Sequence, residues 1–574
     1  MTAQKREKQK NRQSVLQKRT LFFTSTVVPF WRTPYYNVYK GRLIKTVESA
    51  KVTEKARRFG KRFGMSEGIR PCDGRCRIAG GQERRSGLVC AGGTSLGRRI
   101  DYIKEETMQK YYLAIDIGAS SGRHILGTVR DGRIELEEIY RFENGMVKKD
   151  GHRCWDTAHL FAEIKNGLKK CGEIGKIPES MGIDTWAVDY VLLDENDKVL
   201  GPTYGYRDSR TEGMDEEVYK IIPLDELYGR TGIQKQIFNT IYQLMAVKTQ
   251  EPENLAKAKT FLMLPDYFQF LLTGRKVSEY TNATSTQLVS PQTKQWDKEL
   301  IEKLGYPQEM FLPLTMPGAE VGRFTPEIEK EVGFPCRVVL PATHDTASAV
   351  MSVPTTADDC LYISSGTWSL MGVENAEAIC TKKSREANFT NEGGYEYRFR
   401  FLKNIMGLWM IQSVRHELND AYSFAQLCEM AERERAFPSR VDVDDACFLA
   451  PANMTEEIKD YCLRTGQQVP QSVGEIATVI YQSLAEGYAQ TVTQIESITG
   501  RHYGVVNIVG GGSNAAYLNE LTAQKSGYTV YAGPGEATAI GNLLAQMIEA
   551  GEFASLKEAR GAVFDSFGVK TYTA

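Results

Sequence analysis

No stretch of about 18 consecutive apolar residues occurs in this 574-residue chain, so nothing in it reads as a membrane-spanning helix. Regularly paired cysteine is missing too. The eleven cysteines are an odd number scattered without pattern, which excludes a secreted disulfide framework and fits reduced thiols in a cytoplasm. Cys72 and Cys76 form the single close pair, and no CxxC or His pair accompanies them to complete four zinc ligands. Net charge is almost absent, at −1, but it is unevenly spread. Residues 1–107 carry 25 Lys and Arg against 9 Asp and Glu, which leaves 46 against 63 for the remainder. An acidic body excludes nucleic acid as its main partner, because phosphate contacts need clustered basic side chains. No G-x-x-x-x-G-K-[ST] occurs either, which excludes a P-loop enzyme.

What is present exceeds one hydrophobic core, so two or more domains are expected. Residues 1–107 are basic, rich in Gly and Arg, and poorly periodic. Their one apolar patch, Leu21–Trp31, follows a charged start and lacks a small-residue cleavage site. A disordered basic extension, an organelle leader, and upstream sequence ahead of a start at Met108 all compete, and the segment is assigned no fold. The body divides near Pro354 into 108–354 and 355–574, because each part opens on a similar hairpin.

The first hairpin is Tyr111–Arg130. Its strand puts Tyr112, Ala114 and Asp116 on one face and Leu113, Ile115 and Ile117 on the other. A loop of small residues, Gly118–Gly122, lets backbone N–H groups and the Ser120 and Ser121 hydroxyls approach an anion. Asp116 projects beside it, where a carboxylate could hold a metal carried by phosphates. A plain Gly/Ser turn is the competing account. Leu361–Val373 repeats the design around Ser364–Thr367. Between them, Asp156 is expected to cap a helix bearing Leu160, Phe161, Ile164 and Leu168. In GIDTWAVDYVLL, Trp186 and a carboxylate (Asp184 or Asp189) either line a polyol site or belong to an ordinary sheet, and spacing leaves both open.

At THDTAS, a strand runs into a helix, and Asp345 is either its cap or a base at a site suited to anionic transition states. The stretch FLKNIMGLWMIQSVRHEL has a helical period that brings Asn404 and Gln412 to a rim. A long helix starts at Ser472 with Glu475 completing a capping box, and Gly500 ends it. Gly510, Gly512 and Ala515 fit G-x-G-x-x-A, yet the next strand lacks the acidic residue that binds a ribose diol. Gly510–Gly512 therefore reads as a flat surface for a nucleobase or ribose.

AIDIGASSGR, SSGTWSLMG and IVGGGSN together resemble the two phosphate motifs and the adenosine motif of the actin-like ATPase superfamily. GIDTWAVDYVLLD, GYRDSR, THDTASAV and NIMGLWMIQ resemble the FGGY carbohydrate kinases, over about four-fifths of the chain from Met108 onward. The resemblance implies an α/β fold of two ribonuclease-H-like domains with an interdomain cleft, the basic extension lying outside them. It implies ATP and Mg²⁺, a small-molecule sugar, no nucleic-acid or membrane partner, and a cytoplasmic monomer or small homo-oligomer. The reaction implied is phosphoryl transfer to the C1 hydroxyl of L-rhamnulose, between an isomerase and an aldolase. Another ketose or polyol (L-fuculose, xylulose, glycerol) and an actin-like ATPase without a sugar substrate are the alternatives.

By the same resemblance Asp345 is the base, and His344, Thr346, Asn404, Trp186 and Ala187 contact sugar. Ala187 stands where many relatives have a glycine. Ala119, Ser120, Ser121, Gly122, Arg123 and Thr367 hold the ATP phosphates. Gln412, Gly511 and Gly512 meet the nucleoside, and Asp116 steers the metal.

Overall fold

The computed structural model describes residues 109–357 and 359–574. The expectations for residues 1–107, with Cys72 and Cys76, lie outside them. The first sheet contains β1 (Tyr112–Ile117), β2 (Ser121–Arg130), β3 (Arg133–Glu143), β4 (Ser180–Thr185), β5 (Glu320–Arg323) and β6 (Arg337–Val339), in the order β5-β6-β4-β1-β2-β3. The second contains β7 (Leu361–Ser365), β8 (Trp368–Asn375), β9 (Thr390–Gly393), β10 (Phe399–Met406), β11 (Val505–Val509), β12 (Thr529–Ala532) and β13 (Lys570–Tyr572), in the order β9-β10-β8-β7-β11-β12-β13. Read from the hairpins, the halves match. β1 pairs antiparallel with β2 and parallel with β4, as β7 does with β8 and β11. An antiparallel strand closes each sheet beyond two parallel ones.

Alternation along β1 decides what covers each face. Leu113 and Ile115 meet Leu160, Ile164 and Leu168 of α1 (Thr157–Glu173), whose first turn is capped by Asp156 accepting from the His159 N–H at 3.0 Å. Tyr112 and Ala114 face the other way, onto α2 (Asp345–Met351), α6 (Ala537–Glu549) and α7 (Leu556–Ser566). The C-terminal part of the chain thus returns to bury the first sheet. The second sheet packs on α3 (Trp409–Glu417), α4 (Val473–Thr499) and α5 (Ala516–Ser526). As expected, α4 begins with the Ser472–Glu475 capping box and ends at Gly500, where φ is 69°. Residues 190–310 add a separate core around Tyr190, Phe261 and Trp296.

Two expectations are corrected. The first loop is only Gly118–Ser120, because Ser121 and Gly122 already pair with Glu143 and Phe142 inside the sheet. FLKNIMGLWMIQSVRHEL is not one helix: its first part, to Met406, belongs to β10, and α3 starts at Trp409. β10 is covered on both faces, so its apolar residues run together without the two-residue alternation that marks a half-exposed strand.

α2 sits between the sheets. Its Ala347 and Met351 belong to the first sheet's core, whereas Ala349 and Val350 pack on Tyr362 and Val509 of the second. α6 crosses α2 so closely that a Cβ on Gly541 would lie 1.7 Å from the Ser348 carbonyl oxygen. Gly541→Ala normally favours a helix interior by about 0.5–1 kcal/mol. Here it is expected to destabilise the protein by about 1–3 kcal/mol, as overpacking does, read as a lower urea midpoint at unchanged slope.

Candidate active site

Three carboxylates gather where β1 and β4 end and α2 begins. Asp116 and Asp184 are register partners on neighbouring parallel strands. Asp116 Oδ2 accepts from Arg123 Nε and Nη2 at 3.0 and 2.9 Å, and Arg123 Nη1 pairs in turn with Glu536. Asp184 is completely buried. It accepts from Asn542 Nδ2 at 2.7 Å, while its Oδ1 has no hydrogen-bond partner. Burial, reinforced by Asp116, holds the Asp184 pKa well above the usual carboxylate range. Asp345 opens to solvent with 35% of its side chain. Desolvation on its other sides, with Asp116 adding to it, pushes its pKa up to about 6.

Asp345 is not the cap of its helix. His344 holds the cap position, and Asp345 is the first helical residue, its Oδ1 accepting from the Thr346 N–H and, at 3.1 Å, from Thr346 Oγ1. The turn before it is braced from below. Thr185 N–H donates to the Thr343 carbonyl at 3.0 Å, continuing β4. Buried Glu279 accepts from Thr343 Oγ1 at 2.7 Å and from Thr343 N at 3.2 Å. His344 Nδ1 accepts from Arg400 Nη2 at 3.0 Å, and its Nε2 lies 3.5 Å from Asp345 Oδ1. Burial first, then the Arg400 charge, keeps the His344 pKa well below the imidazole norm, so its ring is neutral.

The strand expected across GIDTWAVDYVLL breaks after Thr185. Trp186 Nε1 donates to Asp189 Oδ2 at 2.9 Å and its ring packs on Trp155 with centroids 4.0 Å apart and planes inclined by 36°. Asp189 Oδ2 also accepts from Trp155 Nε1 at 2.6 Å and Tyr206 N at 3.1 Å, and Oδ1 from Gln243 Nε2 at 2.9 Å. Despite four donors, burial pushes the Asp189 pKa up to about 6. Trp186 is therefore mostly a core side chain, and Ala187 beside it is the more exposed. Val188 has φ +69°, unusual for a β-branched residue, in a three-residue turn closed by Asp189 N–H to the Ala187 carbonyl at 3.0 Å. Thr240 Oγ1, donating to the Val188 carbonyl at 2.7 Å, helps to hold this strain.

A chain of contacts joins the two hairpins. Ala119 and Ser120 form the first loop, with Ser120 exposed, and Arg123 ties its strand to Glu536. Gly510 N–H donates to the Pro534 carbonyl at 2.9 Å, two residues away from Glu536. The glycine loop then lies against β7: a Cβ on Gly512 would meet Ser365 Oγ at 1.9 Å, whereas Gly511 faces open space. Thr367 is exposed at the second loop, and its carbonyl accepts from Trp409 N at 3.1 Å, so Gln412 on α3 starts one turn away. Asn404 projects from β10 on the same face as Arg400, and its Oδ1 has no hydrogen-bond partner.

Sequence reasoning passed over Arg400, Glu392, Glu536, Glu279 and Asn542. Arg400 alone left a trace, as a charge between two aromatic residues, Phe399 and Phe401. Among the described residues no three His, Cys, Asp or Glu side chains converge to hold a metal by themselves. Asp116 and Asp184, the latter with an unpartnered oxygen, suit a hard cation whose remaining ligands are phosphate and water.

The N-terminal domain model of the FGGY family of carbohydrate kinases matches residues 111–352, and its C-terminal domain model matches residues 361–550. The rhamnulokinase of Halalkalibacterium halodurans is 55% identical over 462 residues, 80% of this chain and 98% of that protein. That of Bacillus subtilis is 46% identical over 463 residues, 80% of this chain and 95% of its own. Two solved structures share the fold at low identity. They are a gluconate kinase from Lactobacillus acidophilus (15% identity, TM-score 0.65, 81% and 94% covered) and Plasmodium falciparum glycerol kinase with ADP (14%, 0.65, 80% and 94%). Among the described residues no helix is long and apolar enough to cross a membrane.

Asp189→Ala strands two indole N–H groups and the Tyr206 backbone N–H in the interior. Each buried donor left unsatisfied costs about 1–3 kcal/mol, so the variant is expected to lose at least that much stability. Altered Trp fluorescence before the unfolding transition is the accompanying readout.

Proposed function

The chain belongs to the FGGY family of carbohydrate kinases, and we propose that it transfers the terminal phosphoryl group of ATP to the C1 hydroxyl of L-rhamnulose. The products are L-rhamnulose 1-phosphate and ADP. The sugar assignment is supported by the relatives at 41–55% identity, each named a rhamnulokinase. The observation that carries the mechanism is the Asp345 carboxylate at the start of α2, partly open to solvent and next to the Asp116–Asp184 pair.

Asp345 accepts the C1 hydroxyl proton as that oxygen attacks the γ-phosphorus. The bond from phosphorus to the β–γ bridging oxygen breaks, and ADP leaves. Little covalent work falls to the protein in such a transfer, and positioning with charge neutralisation does most of it. A pKa of about 6 keeps Asp345 ionised at neutral pH yet more basic than an exposed aspartate. His344, Thr346, Ala187, Trp186 and Asn404 are the residues assigned to the sugar. Ala119–Arg123 and Thr367 hold the phosphates, and Gln412, Gly511 and Gly512 the nucleoside. Asp116, aided by Asp184, would hold Mg²⁺, which supplies charge neutralisation on the phosphates when bound. All eight described cysteines are free, in keeping with a reducing cytoplasm. Residues 1–107 take no part in this reading.

Three outcomes are expected. With full-length protein, ATP-dependent ADP release is fastest with L-rhamnulose in a panel that includes L-fuculose, xylulose and glycerol. Sugar-independent ATP turnover of equal size would reject the proposal. Asp345→Asn keeps nucleotide affinity, measured calorimetrically, while kcat falls by ~10²–10⁴-fold, the usual contribution of a general base. kcat/KM of the wild type declines on the acid side with an apparent pKa of about 6, since protonating Asp345 removes the base.

A further inference from the structure

Among the described residues Arg400 is the largest completely buried side chain, and nothing in the mechanism above uses it. It stands on β10 of the second sheet, but its Nη2 and Nε act at the boundary with the first, while buried Nη1 has no hydrogen-bond partner. Nη2 donates to His344 Nδ1 at 3.0 Å and pairs with Glu392 Oε2 at 3.1 Å, and Nε donates to the Gly393 carbonyl at 3.0 Å. Glu392 itself is within 3.5 Å of His344 Nδ1. The strand that carries Glu392 is stapled to the first half of the chain: Gly393 N–H donates to Thr284 Oγ1 at 2.8 Å, and Asn391 N–H to the Gly232 carbonyl at 2.9 Å.

A guanidinium has five donors and no acceptor. Its contact with Nδ1 therefore requires a lone pair on that nitrogen, and the imidazole hydrogen must sit on Nε2. That is the nitrogen 3.5 Å from Asp345 Oδ1, so a hydroxyl within reach of the carboxylate also meets an N–H. A salt bridge made for stability alone gains little from such a site, where burying two charges costs as much as their attraction returns. We propose that Arg400 is a positioning residue: held by Glu392, it fixes His344 as the Nε2–H tautomer, which orients the acceptor hydroxyl against Asp345 and ties that alignment to the placement of the second sheet. The catalytic consequence rests on the kinase reading above, whereas the tautomer does not.

The test compares full-length wild type with Arg400→Lys, Arg400→Met and the double variant Arg400→Met/Glu392→Gln, in which no unpaired buried charge remains. Ring ¹⁵N spectra report the His344 tautomer without substrate, its signals being identified by their loss in His344→Asn. The expected result is Nε2–H in wild type, loss of that single tautomer in the folded double variant, and retention in Arg400→Lys, which still donates. Misplacement on the ångström scale can cost ~10²-fold, so kcat with L-rhamnulose should fall by about that factor in the double variant. KM for ATP stays unchanged, and Arg400→Lys recovers part of the loss. A wild-type Nδ1–H tautomer, or a folded double variant with wild-type tautomer and kcat, overturns the proposal. A wild type that phosphorylates no sugar yet shows the tautomer shift would remove the kinase reading and leave the Arg400–His344 assignment standing.

Discussion

Like charges have to be kept together in a poorly solvated place, and much of this structure answers that demand. Asp116 disfavours ionisation of both Asp184 and Asp345, Asp345 adds to the effect on Asp184, and each of the three carboxylates is held differently. Asp116 takes a two-pronged contact from Arg123. Asp184 takes an amide hydrogen from Asn542 and retains a proton far above the ordinary range. Asp345 takes the Thr346 N–H and hydroxyl, at the end of a helix that favours negative charge. The three remedies come from β2, α6 and α2, so the carboxylates survive only while those elements stay packed. Gln546, one turn beyond Asn542, extends the polar ladder to the Leu113 carbonyl and Ser180, which fixes the register of α6 against the sheet.

The doubled topology gives that arrangement its shape. Each sheet contributes a hairpin with a short loop of small residues, but the helices between them belong to neither alone. α2 shows one side to each sheet, and α6, far along the chain, covers the first. Buried Arg560 of α7 donates to the last carbonyls of α2, Met351 and Val350, and pairs with Glu374 of β8. A helix of only seven residues is in this way anchored at both ends.

Local chemistry made parts of this legible beforehand. Period-two alternation assigned the faces of β1 correctly, because one face meets α1 and the other α2 and α6. Capping chemistry located α1 and α4, since caps are written within four residues of sequence. Where a strand is covered on both sides, as β10 is, the period vanishes and a helix was read instead. Of the two alternatives for Asp345, the cap failed for a subtler reason. His344 occupies the cap position with its side chain turned to Arg400, a residue 56 positions away. Long-range partners of this kind, Glu279 beneath Thr343 and Asn542 against Asp184 among them, leave no local signature. Trp186 was singled out for a polyol site or an ordinary sheet, and its indole N–H is spent on Asp189, a pairing that alternation alone could not separate from a sugar contact.

One outer border of the first sheet is β3, eleven residues long and unpaired on its far side. Arg133, Glu135, Glu137, Glu138, Arg141 and Glu143 stud that border. A foreign strand trying to dock there would have to strip water from this fringe of charges, which is how proteins commonly discourage edge-to-edge aggregation. The same fringe that gives the sheet its solubility therefore closes it to growth, and fibrils nucleated along this margin should be disfavoured even at high concentration.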